Sequence, residues 1–153
     1  MKNSYTNEKV VLSKYPSGIA KKENFSVIKE DINNISENDF LIKTKFLGLD
    51  AALRLLIRDS DEFLFRVKEN DILHGNIVGE VIESNNSDFQ IGDYVVGSLG
   101  IQTYAISDGS LAFRNKAEAL IYLCQRIYNF SHSKLCKLLC GVWSLSHIHV
   151  QQY

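Results

Sequence analysis

The stretch Phe89 to Gly109, FQIGDYVVGSLGIQTYAISDG, limits the possible folds more than any other part of the chain. Apolar and polar residues alternate through it, and glycines recur at 92, 97, 100 and 109. That pattern predicts two consecutive short strands in the wall of a β-barrel. Gly92 supplies the positive φ of a tight turn, and Asp93 is expected to accept from the backbone two residues on. Tyr94, Val95 and Val96 then start a strand. Gly97 and Gly100 bracket a bend, and a second strand is expected from Ile101 to Ile106. On pattern alone, any all-β domain would satisfy these residues.

Other segments follow in a compatible order. Val10 to Leu12 reads as a strand, Pro16-x-Gly18 as a turn, and Phe25 to Glu30 as the returning strand. The polar run Glu30 to Asp39 reads as a loop, and Phe40 to Leu49 as a central strand ending at Asp50. Asp50 to Arg58 changes to helical spacing, with Asp50 placed to cap a short helix. Asp59 to Asp71 is polar and acidic around Phe63, Leu64 and Phe65, which suits a mobile surface loop. Ile72 to Glu83 is a further strand, in which Gly75 and Gly79 let two backbones approach closely.

Together these residues resemble the zinc-independent medium-chain dehydrogenase/reductase family, and within it the alkenal double-bond and prostaglandin reductases. The resemblance rests on Phe89-x-Ile91-Gly92-Asp93-x-Val95, on Gly100-Ile101-Gln102-x-Tyr104-Ala105-Ile106-Ser107-Asp108-Gly109, on Val10 to Leu12, Pro16-x-Gly18 and Phe25, and on the Asp39 to Arg54 stretch. It covers about residues 8 to 110. It implies a mainly β fold, a partly open GroES-like barrel with a short helix after Asp50 and a poorly specified helical C-terminal tail. It also implies hydride transfer from NADPH to an activated carbon–carbon or carbonyl bond of a small-molecule substrate, in a parent enzyme that is a homodimer. In such a parent, Asp50, Ala51 and Arg54 would lie near the nicotinamide. Two roles stay open for Asp50, capping and proximity to the cofactor. Two also stay open for Arg54, the cleft or an ion pair that holds the helix. Ala52 stands where many of these reductases carry a tyrosine, so a phenol contact is lost there.

The resemblance predicts no metal. Zinc-dependent relatives carry a cysteine at the position of Asp50 and a histidine at that of Gly75, while His74 alternates to the wrong face. Cys136-x-x-x-Cys140 with His147 and His149 lacks zinc-ribbon spacing and is not taken as a site. A dinucleotide needs a glycine-rich strand-to-helix turn at its pyrophosphate, and the nine glycines contain no Gly-x-Gly-x-x-Gly. The chain therefore reads as the catalytic-domain half of a reductase, expected to be inactive alone and to bind no cofactor tightly. The rival readings are a non-enzymatic β-barrel binding module and a small structural protein.

At 153 residues there is room for one sizeable core but not for two full domains. A net charge of -1 provides no field for nucleic acid or acidic lipid. MKNSYTNEKVVL has no apolar leader core and no run is long enough to cross a membrane, so the expected location is cytoplasmic. Composition breaks near residue 110. Residues 1 to 110 carry 12 Lys and Arg against 17 Asp and Glu, whereas 111 to 153 carry 5 against 1, with all three cysteines, three of the four histidines and Trp143. Domains are accordingly expected at 1–110 and 111–153. Two readings of the second part stand open: an amphipathic helical pair, Ala117 to Phe130 and Lys134 to Leu139, or an out-of-frame product of a parent gene.

Overall fold

In a computed structural model the described residues are 4–48, 52–59 and 66–114, with residues 113 and 114 described by backbone alone. Expectations for Leu49 to Ala51, for Phe63 to Phe65 and for the tail from 115 onward lie outside them. The architecture is mainly β. Strands β1 (Tyr5–Leu12) and β2 (Phe25–Ile32) form an antiparallel hairpin. β3 (Phe40–Gly48), β4 (Asn76–Ser84), β5 (Tyr94–Ser98), β6 (Tyr104–Ser107) and β7 (Ala112–Arg114) form a second antiparallel sheet, ordered β6-β3-β4-β5-β7. The sheets are not closed into a full barrel, as expected for a partly open GroES-like domain.

Alternation decides what each strand buries. Along β5, Val95 and Gly97 turn inward while Tyr94 and Ser98 face solvent; along β6, Ala105 and Ser107 turn inward and Ile106 outward. Phe40, Ile42, Ile77, Val81, Val95, Ala105 and Ala112 form one core on the inner face. Phe89 stacks on Phe40 with ring centroids 4.1 Å apart, which ties the 85–93 loop to the centre of the sheet. A second core, Val10, Leu12, Phe25, Leu53, Ile57, Val67, Leu73 and Ile101, joins the hairpin to the helix that follows β3.

Several boundaries differ from expectation. β2 continues to Ile32, into the predicted loop, because every residue from Phe25 to Ile32 finds a partner on β1. The strand predicted from Ile101 begins at Tyr104. Residues 101 to 103 instead follow β1: Val10 N–H donates to Ile101 O at 3.0 Å and Thr103 N–H to Glu8 O at 3.0 Å. Ile72 and Leu73 precede β4 rather than belonging to it, bonding β1 through the Val11–Ile72 bridge and Leu73 N–H to Val10 O at 2.9 Å. At the Ile-Gly-Asp turn Gly92 takes φ +90°, as required. Asp93 Oδ2, however, accepts from Gln90 N–H, three residues back, at 2.9 Å. That bond lies beside Asp93 N–H to Gln90 O at 3.0 Å, so the aspartate closes the turn from its far end.

Candidate functional site

β3 carries the chain toward the region that the sequence marks for chemistry. Helix α1 follows as one turn, Leu53–Leu56. Leu53 and Ile57, four apart, fall on one side and are buried in the core shared with the hairpin. The helix start differs from expectation. Its N-cap position is Ala52, which is already helical and whose own side chain offers no acceptor, while Asp50, expected to cap it, lies outside the described residues. The turn is too short to need a designed cap, since burial of Leu53 and Ile57 holds it.

Of the three predicted site residues, Asp50 and Ala51 lie outside the described residues. Arg54 is on α1 and exposed, next to the buried Leu53. No described carboxylate lies within ion-pair distance of it. A guanidinium so placed keeps its donors available to an anion or carbonyl.

Beyond α1 the chain is held by contacts that periodicity does not reveal. Val67 N–H donates to Leu56 O at 2.9 Å, and Tyr15 O–H donates to Val67 O at 3.0 Å. The Arg66 guanidinium lies 5.8 Å from the Tyr15 ring centroid and 3.5 Å from Asp59 Oδ1. Tyr15 N–H also donates to Glu69 Oε1 at 3.1 Å. Residues 59 and 66 are thus pinned to each other and to the hairpin. The sequence does not disclose this, because Tyr15 is separated from Val67 by 52 positions.

A second polar node joins the two sheets. Asn7 is 1% exposed, and its Oδ1 accepts from Thr103 Oγ1 at 3.2 Å and Tyr104 N–H at 3.0 Å. Its Nδ2 donates to Gln102 Oε1 at 2.9 Å and Glu30 Oε1 at 3.3 Å. Lys9 Nζ meets Glu30 Oε2 at 2.6 Å. The hydrogen bond from Lys9 holds the Glu30 carboxyl below its ordinary pKa, against partial desolvation and with help from the lysine charge and from Asn7. A carboxyl with a depressed folded pKa contributes stability above its unfolded pKa and loses it as the pH falls through the folded value. Acidification below the usual glutamate range is therefore expected to lower the melting temperature more in the wild type than in Glu30→Gln, which parallel melts across pH would show.

His74 is exposed between buried Leu73 and Gly75, so its side chain leaves the interior, as strand alternation predicts. Among the described residues no group of three or more His, Cys, Asp or Glu side chains could hold a metal ion. No helix among them is long and apolar enough to cross a membrane.

The described residues thus form an antiparallel, partly open barrel with a one-turn helix after its central strand. The family described as "N-terminal domain of oxidoreductase" matches residues 8–114, and the chain belongs to it. Its relatives narrow this to the zinc-independent, NADP-dependent medium-chain reductases. The chain is 35% identical over 103 residues to the NADPH-dependent curcumin reductase of Escherichia coli (strain K12), covering 67% of this chain and 30% of that protein. It is 33% identical over 107 residues to prostaglandin reductase 1 of Sus scrofa, covering 70% and 30%. Among solved structures it is similar to CurA from Vibrio vulnificus in complex with NADPH, with a TM-score of 0.67 and 29% identity over 76% of this chain and 35% of that one. The chain thus spans about 30% of the length of these curated relatives.

Proposed function

We propose that this chain is the substrate-side part of an NADP-dependent reductase that transfers hydride to an activated double bond or carbonyl, and that a complete enzyme of this kind is a cytoplasmic homodimer acting on a small molecule. The observation that carries the reading is the family match over residues 8–114 with Arg54 exposed on α1, beyond the end of β3. Asp50, Ala51 and Arg54 would then border the nicotinamide end of the cofactor, and the acidic stretch Asp59 to Asp71 would border the substrate. The boundary expected at 110 moves to 114, because β7 pairs with β5 and Ala112 packs in the inner core; residues 115–153, beyond the family match, are proposed to form no part of this domain.

The described residues fit only an edge contact with such a cofactor. Every strand pairing among them is antiparallel, so they contain no strand–helix–strand unit to present amides to a pyrophosphate. Reducing chemistry would come from the bound nicotinamide, while this chain orders the substrate side and excludes water. Alone, the 153-residue chain is expected to bind NADPH no more tightly than about millimolar, because a few contacts cannot offset the loss of cofactor freedom. A fluorescence titration of NADPH checks this, and saturation in the micromolar range would overturn the division of labour proposed here.

A further inference from the structure

The outer edge of β2 is a regular strand surface whose outward backbone groups have no partner among the described residues. Which groups point outward follows from β1. Glu8, Val10 and Leu12 direct their backbone away from β2: Thr103 N–H donates to Glu8 O, Leu73 N–H to Val10 O and Asn70 N–H to Leu12 O, at 3.0, 2.9 and 2.6 Å. By alternation the odd residues of β1 face β2, and these oppose Ser26, Ile28, Glu30 and Ile32. The backbone of Val27, Lys29 and Asp31 must then point outward. Phe25 N–H, also outward, is already used by Lys22 O.

Edges of this length are ordinarily blunted by a bulge, a proline or charged side chains. β2 has no bulge and no proline. Its register on β1 runs unbroken from Phe25 to Ile32, and the only proline of the chain is Pro16. Its charges are met inside the hairpin: Lys29 Nζ lies 2.7 Å from Glu8 Oε1, Glu30 pairs with Lys9, and Asp31 accepts from Thr6 Oγ1 at 2.9 Å. Ser26, Ile28, Lys29, Glu30 and Asp31 are all exposed, on both faces of the hairpin.

We propose that β2 pairs antiparallel with β2 of a second copy of this chain, the two-fold axis passing at Glu30. A two-fold axis relating adjacent antiparallel strands stands perpendicular to the sheet, so each residue opposes one of the same parity. Centring on Glu30 sets Lys29 against Asp31 of the other copy, twice, and Ile28 against Ile32, twice. Each lysine then lies between Glu8 of its own hairpin and Asp31 of the other. The two Glu30 carboxylates that meet at the axis each keep their own Lys9. Centring on Lys29 would instead oppose two lysines and set Val27 against Asp31. A net charge of -1 opposes association little.

Sedimentation velocity on the full 153-residue chain over a concentration series tests this. A monomer–dimer equilibrium is expected. Lys29→Pro removes an outward N–H and no bond of the hairpin ladder, and is expected to abolish the dimer. Lys29→Glu is expected to weaken it roughly tenfold, and the double variant Lys29→Glu/Asp31→Lys to recover most of that loss. Monomer at every concentration, an assembly that survives Lys29→Pro, or a double variant no tighter than Lys29→Glu would each overturn the proposal. If Lys29→Pro does not fold, by circular dichroism, the charge variants decide alone.

Discussion

Gly79→Val is expected to destabilise the domain by about 3 kcal/mol or more, enough to leave little folded protein in a domain of ordinary stability. Gly79 opposes Thr44 beside an irregularity in the β3–β4 register, between Thr44 and Phe46. A Cβ added there would strike Ile42 Cγ2 and lie 2.6 Å from Lys43 O. A side-chain terminus can rotate away, but a backbone carbonyl of the central strand cannot move without disturbing the β3–β4 ladder. Gly79→Ala already introduces that clash, so most of the loss should appear with alanine. Gly18 supplies the control: its φ is +96° with nothing within 4 Å of an added Cβ, so Gly18→Ala should cost only the left-handed backbone penalty, about 1 kcal/mol. Urea denaturation of the three variants gives the comparison, and near-equal losses for Gly79→Ala and Gly18→Ala would refute the close-approach account.

The same residues show where the sequence is legible. Gly79 announces close backbone approach because a small residue inside an apolar strand has few other uses, whereas Gly75 precedes β4 and is crowded by the Ile101 and Leu47 side chains; Gly92 announces its turn through the Asp93 that follows. Strand identity in 94–98 follows from period-two alternation, which the inner core uses directly. What escapes is pairing across long separations. Residues 101–103 have strand composition, yet they bond β1, some 90 positions earlier, and that choice depends on where the hairpin lies. The helix start escapes for a related reason: a capping residue is informative when a helix must stand on local energy, and α1 stands on two buried side chains. At the candidate site, Arg54 is placed by the buried residues one position before it and three after it, Leu53 and Ile57. Tyr15 and Arg66, which hold the far side, meet only in three dimensions.

Asn7→Leu is expected to cost about 3 kcal/mol, although leucine shares the branching pattern of asparagine and its apolar side chain suits an interior position. The reason is the group of partners left behind. Thr103 Oγ1 and Tyr104 N–H lose their acceptor, and Gln102 Oε1 and Glu30 Oε1 lose a donor, in a place where water reaches few of them. Each stranded buried polar group costs about 1 to 3 kcal/mol, and relaxation of the exposed Glu30 recovers part of the sum. Asn7 also joins the β1–β2 hairpin to the 102–104 segment of the main sheet, so the loss should fall on their mutual docking. Asn7→Asp separates the two halves of the amide. It keeps the acceptor for Thr103 and Tyr104 but turns a carboxylate oxygen toward Gln102 Oε1 and Glu30. Burial and the neighbouring carboxylate would raise the new aspartate's folded pKa above its unfolded value, so its penalty should be largest at neutral pH and shrink as the pH falls through that raised value. Chemical denaturation of wild type, Asn7→Leu and Asn7→Asp at neutral and mildly acidic pH measures all three. A leucine variant as stable as wild type, or an aspartate penalty that does not change with pH, would show that the hairpin is held by the apolar core of Val10, Leu12 and Phe25 without help from the asparagine.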